Sequence, residues 1–422
     1  MSKKNNKYTP NLRFPEFTGE WEEKKLGEVA KKVNRKNTLL KVSRVLTNSA
    51  NLGVVDQGAY FDRDIAVKEN TGNYSIVEIE DFVYNPRIST AAPVGPISIN
   101  KVGQGIMSPL YTIFKFHTGS VPFYEQYFQT TIWHSYLKGI ANFGARFDRM
   151  NITTEGFFNM PLYLPTNPAE QRKIASCLSA MDDLIAAQAE KVEALKEKKT
   201  GLMQQMFPQA GETTPRLRFP EFTGDWEVKN LGKVCDSILV GFPFKGEDIT
   251  DDASGHPILR AFSIGEGIIR HGKDYDKYYP YDAEKLKKYE VRKGDIVISM
   301  DGSVGKNIAM VSEKEERNLL IQRVARLRIT DYPIHLIFQQ IISQRFKDYA
   351  AGEKKGAVIA HISQKQIELF PIYVPDSPAE QQKIASCLSA LDDQIAAETE
   401  KLTALKDYKK GLMQQLFPQP AK

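Results

Sequence analysis

The chain has 422 residues, of which 41% are hydrophobic and 26% charged, and its net charge is +5. This length exceeds what one hydrophobic core usually serves, and the sequence has no run of eighteen apolar residues and no apolar segment behind its N-terminal lysines, so we expect a multidomain cytoplasmic protein with no membrane association. Because the net charge is small, a polyanion would have to be held by basic groups gathered on one face, so composition permits nucleic-acid binding without requiring it.

A block near the N-terminus is repeated at about the middle of the chain. The sequence LRFPEFTGEWEEKKLG at residues 12–27 returns as LRFPEFTGDWEVKNLG at residues 217–232. The segments between the repeated blocks, about 30–150 and 235–360, show no likeness to each other by eye. One repeated frame therefore carries two unlike globular heads. The predicted domains are the heads at 1–160 and 211–370 and the repeated segments at 161–210 and 371–422.

Both heads have the pattern of an α+β fold, in which short strands are mixed with a few helices. The strand candidates are residues 76–84, 296–299, 308–311 and 324–329, and the helix candidates are 122–137 and 333–349. A glycine-containing basic stretch follows each predicted helix, at 138–149 and 352–356. Such a loop suits contact with phosphates and base edges, and an ordinary solvated loop fits the pattern equally well.

The repeated segments at 168–209 and 378–419 are identical at 31 of 42 positions and predict long amphipathic helices. Their apolar residues follow the alternating three- and four-residue spacing of a heptad seam. The seam residues are Ile174, Leu178, Met181, Ile185, Val192, Leu195, Leu202 and Met206 in the first copy and Ile384, Leu388, Leu391, Ile395, Leu402, Leu405, Leu412 and Leu416 in the second. The polar seam positions are Gln188, Lys199, Glu398 and Lys409, and polar groups in a seam usually fix its register.

The connectivity of the chain predicts how these helices pair. Each helix would be roughly 55 Å long, and the nearest partner with a matching seam is the other copy. The first helix delivers the chain to the second head, whereas the second helix follows that head, so we expect an antiparallel coiled coil with pseudo-twofold symmetry. The alternative, in which each helix packs separately on its own head, stays open.

The catalytic and metal-binding motifs that we sought are missing from the sequence. The six histidines have no paired metal-ligand spacing, and CxxC, GxSxG and HExxH do not occur. The glycine stretch at 294–306 lacks the GxxxxGK[ST] spacing of a phosphate-binding loop. The sequence Tyr-Asn-Pro-Arg at 84–87 lacks the second proline and the final aromatic residue of the Asn-Pro-Pro-Tyr motif of amino-methylating enzymes. We therefore expect a chain that is not an enzyme and binds no metal.

The most specific phrases of the sequence lie at both ends of each half. They are LRFPEFTG followed by Glu-Trp or Asp-Trp, NITTEGFFNMPLYLPTNPAEQRKIASCL at 151–178 and HISQKQIELFPIYVPDSPAEQQKIASCL at 361–388. In these phrases, which cover the whole helical frame, the chain resembles the specificity subunits of type I restriction-modification enzymes. It departs from that pattern at Asn167 and Ser377, where a second proline often stands before Ala-Glu-Gln.

The resemblance implies a function and a set of partners. The heads would be target-recognition domains that each read one half of a bipartite DNA site, and the antiparallel coiled coil would also dock two methyltransferase subunits. Motor-nuclease restriction subunits would complete the complex, and S-adenosylmethionine, ATP and Mg would be bound by partner subunits, with no cofactor on this chain. The residues expected to bind DNA are Arg87, Lys138, Arg146, Arg149, Lys306, Lys354 and Lys355.

Two unlike heads on a rod of fixed length would act as a caliper on an asymmetric DNA site. Half-sites on one face of B-DNA lie about 34–36 Å apart for one turn, which is compatible with helices of this length. The alternative from another class is a coiled-coil adaptor that bridges two protein partners. A DNA-modifying enzyme is a third possibility.

Overall fold

The computed structural model describes residues 8–61, 68–142, 148–209, 211–302, 305–352 and 361–418. The chain divides into two compact units. Unit 1 comprises Met1–Ala189 and Glu400–Lys422, and unit 2 comprises Glu190–Thr399. Each unit therefore combines one head with a part of each long helix.

The elements of unit 1 are short except for one helix. The strands are β1 (Trp21–Lys25), β2 (Ala30–Lys32), β3 (Leu46–Ser49), β4 (Gly53–Asp56), β5 (Ser75–Val77), β6 (Phe82–Tyr84), β7 (Ile97–Ile99), β8 (Gly105–Met107), β9 (Thr112–Phe116) and β10 (Pro161–Pro165). The helices are α1 (Leu26–Val29), α2 (Gln57–Phe61), α3 (Val121–Phe128), α4 (His134–Ile140), α5 (Thr154–Phe158) and the long α6 (Pro168–Met206), which continues into unit 2.

An antiparallel sheet with the strand order β2-β9-β6-β7 forms the centre of the unit 1 head. Its inner face carries Phe82, Phe114 and Phe116, which pack on one another and on the aromatic residues of α3. Burial of each such ring contributes about 1.5–3 kcal/mol, so this aromatic cluster stabilises the head. The remaining strands pair as the ribbons β1-β10, β3-β4 and β5-β8.

Unit 2 repeats this plan with different connecting segments. Its strands are β11 (Trp226–Asn230), β12 (Ser237–Val240), β13 (His256–Leu259), β14 (Lys277–Tyr279), β15 (Ile296–Ser299), β16 (Ile308–Met310), β17 (Leu319–Leu320), β18 (Val324–Arg328) and β19 (Pro371–Pro375). Its helices are α7 (Leu231–Val234), α8 (Ile334–Ile341), α9 (Gln344–Gly352), α10 (Gln364–Leu369) and α11 (Pro378–Leu416), which continues into unit 1. Short 3₁₀ helices cover Lys68–Asn73 in unit 1 and Gly246–Asp248, Ala261–Ser263, Glu284–Tyr289 and Glu313–Glu315 in unit 2.

The central sheet of unit 2 has the order β12-β18-β15-β16 and is antiparallel throughout, as in unit 1. A second sheet, β14-β13-β17, replaces two of the ribbons of unit 1, and β11-β19 corresponds to β1-β10. The α+β fold expected from the sequence is confirmed, because both heads place short helices beside a small antiparallel sheet.

Helices α6 and α11 each span 39 residues, which corresponds to a length of about 58 Å. In unit 2 the ion pairs Lys191–Glu398 and Lys199–Asp392 join the two helices, so the residue number rises along one helix as it falls along the other. The predicted antiparallel pairing is therefore confirmed. Each helix ends directly before its Phe-Pro sequence, because proline cannot continue a helix.

The predicted seam residues are all buried or half-buried. The buried ones are Ile174, Leu178, Val192, Met206, Ile384, Leu388 and Leu416, and the half-buried ones are Met181, Ile185, Leu195, Leu202, Leu391, Ile395, Leu402, Leu405 and Leu412. Among the polar seam positions, Gln188 and Lys409 are buried and Lys199 and Glu398 are half-buried. The seam thus excludes water along most of its length and contains charged groups at defined places.

In unit 1 a polar cluster joins the two helices to the head. The ammonium group of Lys409 donates to Asp182 at 2.5 Å and to Gln129 at 2.8 Å, and the amide of Gln126 on α3 donates to the other oxygen of Asp182 at 2.8 Å. The equivalent cluster of unit 2 consists of Lys199, Asp392 and Gln339. A buried cation that loses its carboxylate is costly, so sliding one helix past the other is disfavoured and the register is fixed.

The repeated Leu-Arg-Phe phrase closes each unit by contacting both helices. In unit 1 Arg13 donates two hydrogen bonds of 2.7 Å to the fully buried Glu170 in the first turn of α6. The preceding residue, Leu12, donates its N–H to the carbonyl of Gln415 at the end of α11 at 3.0 Å. Trp21 on β1 donates to Glu170 at 3.1 Å. We call this set of contacts the clasp.

Unit 2 repeats the arginine and leucine contacts of the clasp, but the indole N–H of Trp226, the counterpart of Trp21, is buried without a hydrogen-bond partner among the described residues. Arg218 donates to Glu380 in the first turn of α11 at 2.7 and 2.8 Å, and the N–H of Leu217 donates to the carbonyl of Gln205 at the end of α6 at 2.9 Å. The repeated phrase therefore joins the beginning of one long helix to the end of the other in each unit.

The expected elements of the heads differ from the observed ones in two respects. The predicted strand at 76–84 is divided into β5 and β6 by a turn in which Glu80 adopts a φ of +68° and the buried Asp81 binds Arg35. The predicted helices at 122–137 and 333–349 are each broken into two. The first break contains Thr130, Thr131 and Ile132, whose β-branched side chains disfavour helix, and at the second the hydroxyl of Ser343 donates to the carbonyl of Gln340.

We expect Arg13→Ala to lower the free energy of unfolding of unit 1 by about 3–5 kcal/mol, because it leaves the buried Glu170 without its cation. The control is Arg216→Ala, which removes an exposed arginine paired with Glu212 on the surface and should cost less than about 1 kcal/mol. Urea unfolding of the full chain measures both values. Equal losses in the two variants would show that the clasp does not stabilise the unit.

Candidate nucleic-acid interface

In unit 1 the loop that leaves the central strand β6 has a tightly closed base. The N–H of Asn85 donates to the carbonyl of Pro96 at 3.0 Å, and Gly95 adopts a φ of +78°. A Cβ atom on Gly95 would lie 2.0 Å from the carbonyl oxygen of Asn85, so glycine is required there. This closure fixes the position of Arg87, which follows Asn85 by two residues.

Two of the predicted DNA-binding residues come together at this loop. The segment before α5 pairs with it through hydrogen bonds of 3.0 Å from Ile88 N–H to the carbonyl of Asp148 and from Met150 N–H to the carbonyl of Pro86. Arg87 and Arg149 therefore face each other in an antiparallel bridge, although they belong to separate basic segments of the sequence. The side chain of Arg87 is 63% exposed, and its Nε lies 3.7 Å from Asp148.

The same place in unit 2 carries different residues. Strand pairing shows which positions correspond: Phe82 of β6 pairs with the last residue of β7, and Ile296 of β15 pairs with the last residue of β16. Arg87 lies five residues after Phe82, and Asp301 lies five residues after Ile296, so Arg87 and Asp301 are equivalent. Asp301 forms an antiparallel bridge with His361, and the N–H of Ile362 donates to the carbonyl of the residue before Asp301 at 2.9 Å. We call the bridges Arg87–Arg149 and Asp301–His361 the loop bridges of the two units.

The loop bridge of unit 2 gathers three polar side chains. The Nδ1 atom of His361 lies 2.6 Å from an oxygen of Asp301, and the Nε atom of Arg323 lies 3.6 Å from the other oxygen. Arg323 is 59% exposed and adopts a φ of +69°, which is unfavourable for a residue with a side chain. Sequence reasoning missed Asp301, His361 and Arg323, because a single residue of each type forms no pattern.

The helices that follow the loop bridges begin in the same way. The hydroxyl of Thr153 accepts from Gly156 N–H at 3.0 Å at the start of α5, and Ser363 forms a capping box with Gln366 at the start of α10. This local capping explains why the short phrases Asn-Ile-Thr and His-Ile-Ser match in the two halves. The bridge residue lies four residues before the cap in unit 1 and two residues before it in unit 2, so the intervening turn differs.

The other predicted DNA-binding residues are exposed where the structure describes them. Lys138 lies in the last turn of α4, and Lys306 follows Gly305 in the loop after β15. Burial and then the charge of Lys138 lower the pKa of His134, at the start of α4, to about 4, so this imidazole is neutral at pH 7. The predicted residues Arg146, Lys354 and Lys355 lie outside the described residues.

A cleft of about 620 Å³ adjoins the loop bridge of unit 1. Lys32, Lys36 and Arg149 are the cations that line it, beside Tyr111 and Asn151. Three cations at one cleft favour an anionic ligand. The signal in the sequence was the run Lys-Lys-Val-Asn-Arg-Lys at 31–36, which sequence analysis did not single out.

Within the described ranges, no cluster of three or more histidine, cysteine, aspartate or glutamate residues could hold a metal ion. The described helices also include none that is long and apolar enough to cross a bilayer.

Comparison with known proteins identifies the family. The profile of the type I restriction modification DNA specificity domain matches twice, at residues 18–197 and 223–407. The chain therefore belongs to the family of type I restriction-modification DNA specificity proteins, and the family expected from the sequence is confirmed.

Curated relatives include specificity subunits from Methanocaldococcus jannaschii. The putative type I restriction enzyme MjaX specificity subunit is 28% identical over 263 residues, which cover 61% of this chain and 58% of the relative. The MjaIX specificity subunit is 24% identical over 346 residues, which cover 78% of this chain and 76% of the relative. The chain thus spans about three fifths of the MjaX relative.

Solved structures share the fold. The S subunit of a type I restriction-modification system from M. genitalium is 14% identical with a TM-score of 0.57, over 97% of this chain and 99% of that one. A chain from a structure that addresses complex assembly and conformational transition of the type I R-M system is 15% identical with a TM-score of 0.55, over 94% and 97%.

We expect Gly95→Ala to destabilise the loop that carries Arg87, since the added methyl group would collide with the carbonyl of Asn85. The matched control is Gly139→Ala in α4, where a Cβ meets nothing within 4 Å and alanine should gain about 0.5–1 kcal/mol of helix propensity. Thermal unfolding and amide exchange of residues 85–96 measure the effect. Faster exchange is expected in the first variant, and unchanged protection there would contradict the assignment.

Proposed function

We propose that the chain is the non-catalytic DNA-recognition subunit of a type I restriction-modification complex, and that each unit reads one half of an asymmetric bipartite DNA site. The observation that carries this proposal is the pair of loop bridges. They occupy the same place after the central strand of each head, yet they present Arg87 with Arg149 in unit 1 and Asp301 with His361 in unit 2. Equivalent positions with unlike donors and acceptors suit two readers of different sequences.

DNA binding also requires affinity for phosphate, and the cations of unit 1 would provide it. Arg149 and Lys32 line the cleft beside the loop bridge, and Lys138 is exposed on α4. Phosphate contacts by such residues fix the position of a protein on the duplex, and base contacts then select the sequence. With a net charge of only +5, binding depends on these local cations.

The long helices are proposed to set the spacer between the two half-sites. Support comes from their continuity, because α6 and α11 each contribute residues to both units, and from the partly buried polar clusters that fix their register. A helix has a fixed rise per residue, so a pair of helices locked in register is a suitable ruler.

The proposed partners are two methyltransferase subunits and motor-nuclease restriction subunits. The repeated helical segments are the part of the chain that is alike in both halves, and like surfaces suit two copies of one partner. S-adenosylmethionine would be bound by the methyltransferase subunits, and ATP and Mg by the motor-nuclease subunits. The complex would work in the cytoplasm, where the DNA lies.

We expect Lys138→Ala/Arg149→Ala to weaken binding of the cognate duplex and to reduce the slope of log affinity against log salt concentration by about 0.9 for each phosphate that the variant no longer neutralises. The control is Lys101→Ala, which removes an exposed cation that is already paired with Glu125 and should leave the slope unchanged. Titrations at several salt concentrations measure the slope. An unaltered slope in the double variant would remove both residues from the interface.

We expect the insertion of one heptad into each helix, after Ala189 and after Thr399, to lengthen the preferred spacer and to leave both half-site sequences unchanged. The insertion adds about 10 Å to each helix and preserves the seam. Enrichment of a randomised duplex library by the full chain in its methyltransferase complex measures spacer and half-sites together. As a control, residues 190–196 are exchanged for another heptad with the same seam, which should keep the original spacer. Retention of the original spacer by the insertion variant would contradict the proposal that the long helices set the spacer length.

A further inference from the structure

At each loop bridge an exposed arginine has its Nε atom within ion-pair distance of a carboxylate. In unit 1 the Nε of Arg87 lies 3.7 Å from an oxygen of Asp148, the residue before the bridge residue Arg149. In unit 2 the Nε of Arg323 lies 3.6 Å from an oxygen of Asp301, which is itself a bridge residue. The two side chains are exposed to a similar degree, 63% and 59%, although they come from unrelated segments of the sequence.

The contact through Nε determines which part of the guanidinium group remains available. A guanidinium group is a rigid planar fork, so a carboxylate near Nε attracts that edge of the group without forming a hydrogen bond at 3.6–3.7 Å, and the two terminal amino groups remain available as donors. Two parallel donors in one plane match the two acceptors O6 and N7 on the major-groove edge of guanine. They also match two oxygens of a phosphate group.

The carboxylate favours the base over the phosphate. A phosphate at the terminal amino groups would be repelled by the nearby negative charge of Asp148 or Asp301, whereas the edge of guanine carries no net charge. By contrast, the ion pairs found among the described residues include none with Lys138, Arg149 or Lys306. Unpaired cations suit phosphates, and cations oriented by a carboxylate suit bases.

The backbone of unit 2 supports a positional role for Arg323. Its φ of +69° lies in the left-handed region, which is unfavourable for any residue with a side chain. The conformation is held in place because the N–H of Met300 donates to the carbonyl of Arg323 at 2.9 Å, and Met300 directly precedes Asp301. A strained conformation at an exposed residue contributes nothing to core packing, but it places the guanidinium group beside Asp301.

We propose that Arg87 and Arg323 each read a guanine, one in each half of the DNA site, and that Asp148 and Asp301 are positioning residues that orient them. This inference rests on the proposed function. It adds to that function the identity of one base in each half-site and of the residues that select it.

The experiment enriches a randomised duplex library on the full chain in its methyltransferase complex, with the wild-type chain and with the variants Arg87→Gln and Arg323→Gln. Glutamine pairs with N6 and N7 of adenine, so each variant should change one position of one half-site from guanine toward adenine. The preference for guanine there should fall by about 5- to 150-fold, which corresponds to the removal of one bidentate pair of hydrogen bonds. The other half-site stays unchanged and reports that the chain is folded.

If a glutamine variant fails to fold, a second pair of variants tests whether Arg87 and Arg323 read guanine. Arg87→Lys and Arg323→Lys keep the charge, but lysine cannot form the planar bidentate contact. Lysine can still donate to O6 or N7, so we expect a weaker guanine preference at the same positions with an unchanged salt slope. Arg216→Gln, at an exposed arginine paired with Glu212, is the control and should leave the whole motif unchanged.

A variant of Asp301 tests whether this carboxylate positions Arg323. Asp301→Asn keeps the shape of the side chain and removes its charge, so Arg323 becomes free to bind phosphate. The guanine preference in that half-site should weaken while the salt slope becomes steeper by up to about 0.9, a combination that a general loss of structure would not produce.

The outcomes separate the two proposals. If the wild-type complex enriches no bipartite motif, the proposed function fails. If it enriches such a motif and the glutamine and lysine variants keep every guanine preference, the proposed function stands and the assignment of Arg87 and Arg323 is overturned.

Discussion

The buried ion pair between the repeated arginine and the first turn of a long helix constrains the rest of each unit. Glu170 and Glu380 are fully buried, and each is neutralised by two hydrogen bonds from Arg13 or Arg218. A buried carboxylate without its cation is strongly destabilising, so the segment that precedes each head has to reach the beginning of a long helix. The leucine before the arginine then binds the end of the other long helix through its N–H. One short phrase thereby closes a unit made from separate parts of the chain, which gives a physical reason for its repetition.

The clasp and the seam hold the two long helices together in each unit, so the heads can differ in sequence without disturbing the helices. Both central sheets keep the same order, and both loop bridges follow the central strand at the same position. The side chains at these bridges are unlike, with Arg87 in one unit and Asp301 in the other. The contacts that require identical residues are thus separated from the positions at which the residues vary. Such a separation suits proteins whose target sequence differs while their assembly stays the same.

Regular local patterns made much of the frame predictable. The heptad spacing indicated the seam, the Phe-Pro sequences indicated the helix ends, and the chain connectivity indicated antiparallel pairing. The heads were less predictable because their elements are short and depend on distant contacts. The turn that divides β5 from β6 exists because Asp81 is buried against Arg35, which lies in a different segment. Likewise, Arg87 and Arg149 were both selected as basic loop residues, but their meeting depends on backbone pairing that the sequence does not reveal.

The partly buried polar clusters connect helix register to the position of the loop bridge within each unit. Asp182 on α6 accepts from Lys409 of the paired helix and from Gln126 of α3, so one carboxylate joins both helices to the head. Helix α3 packs on the central sheet that carries β6, and β6 leads directly to the loop bridge. A change of register would have to break the cluster or move α3 against its sheet, and both cost free energy because Lys409 and Gln126 are buried. The position of the loop bridge relative to the helices is therefore set by packed contacts within each unit, as the proposed function requires.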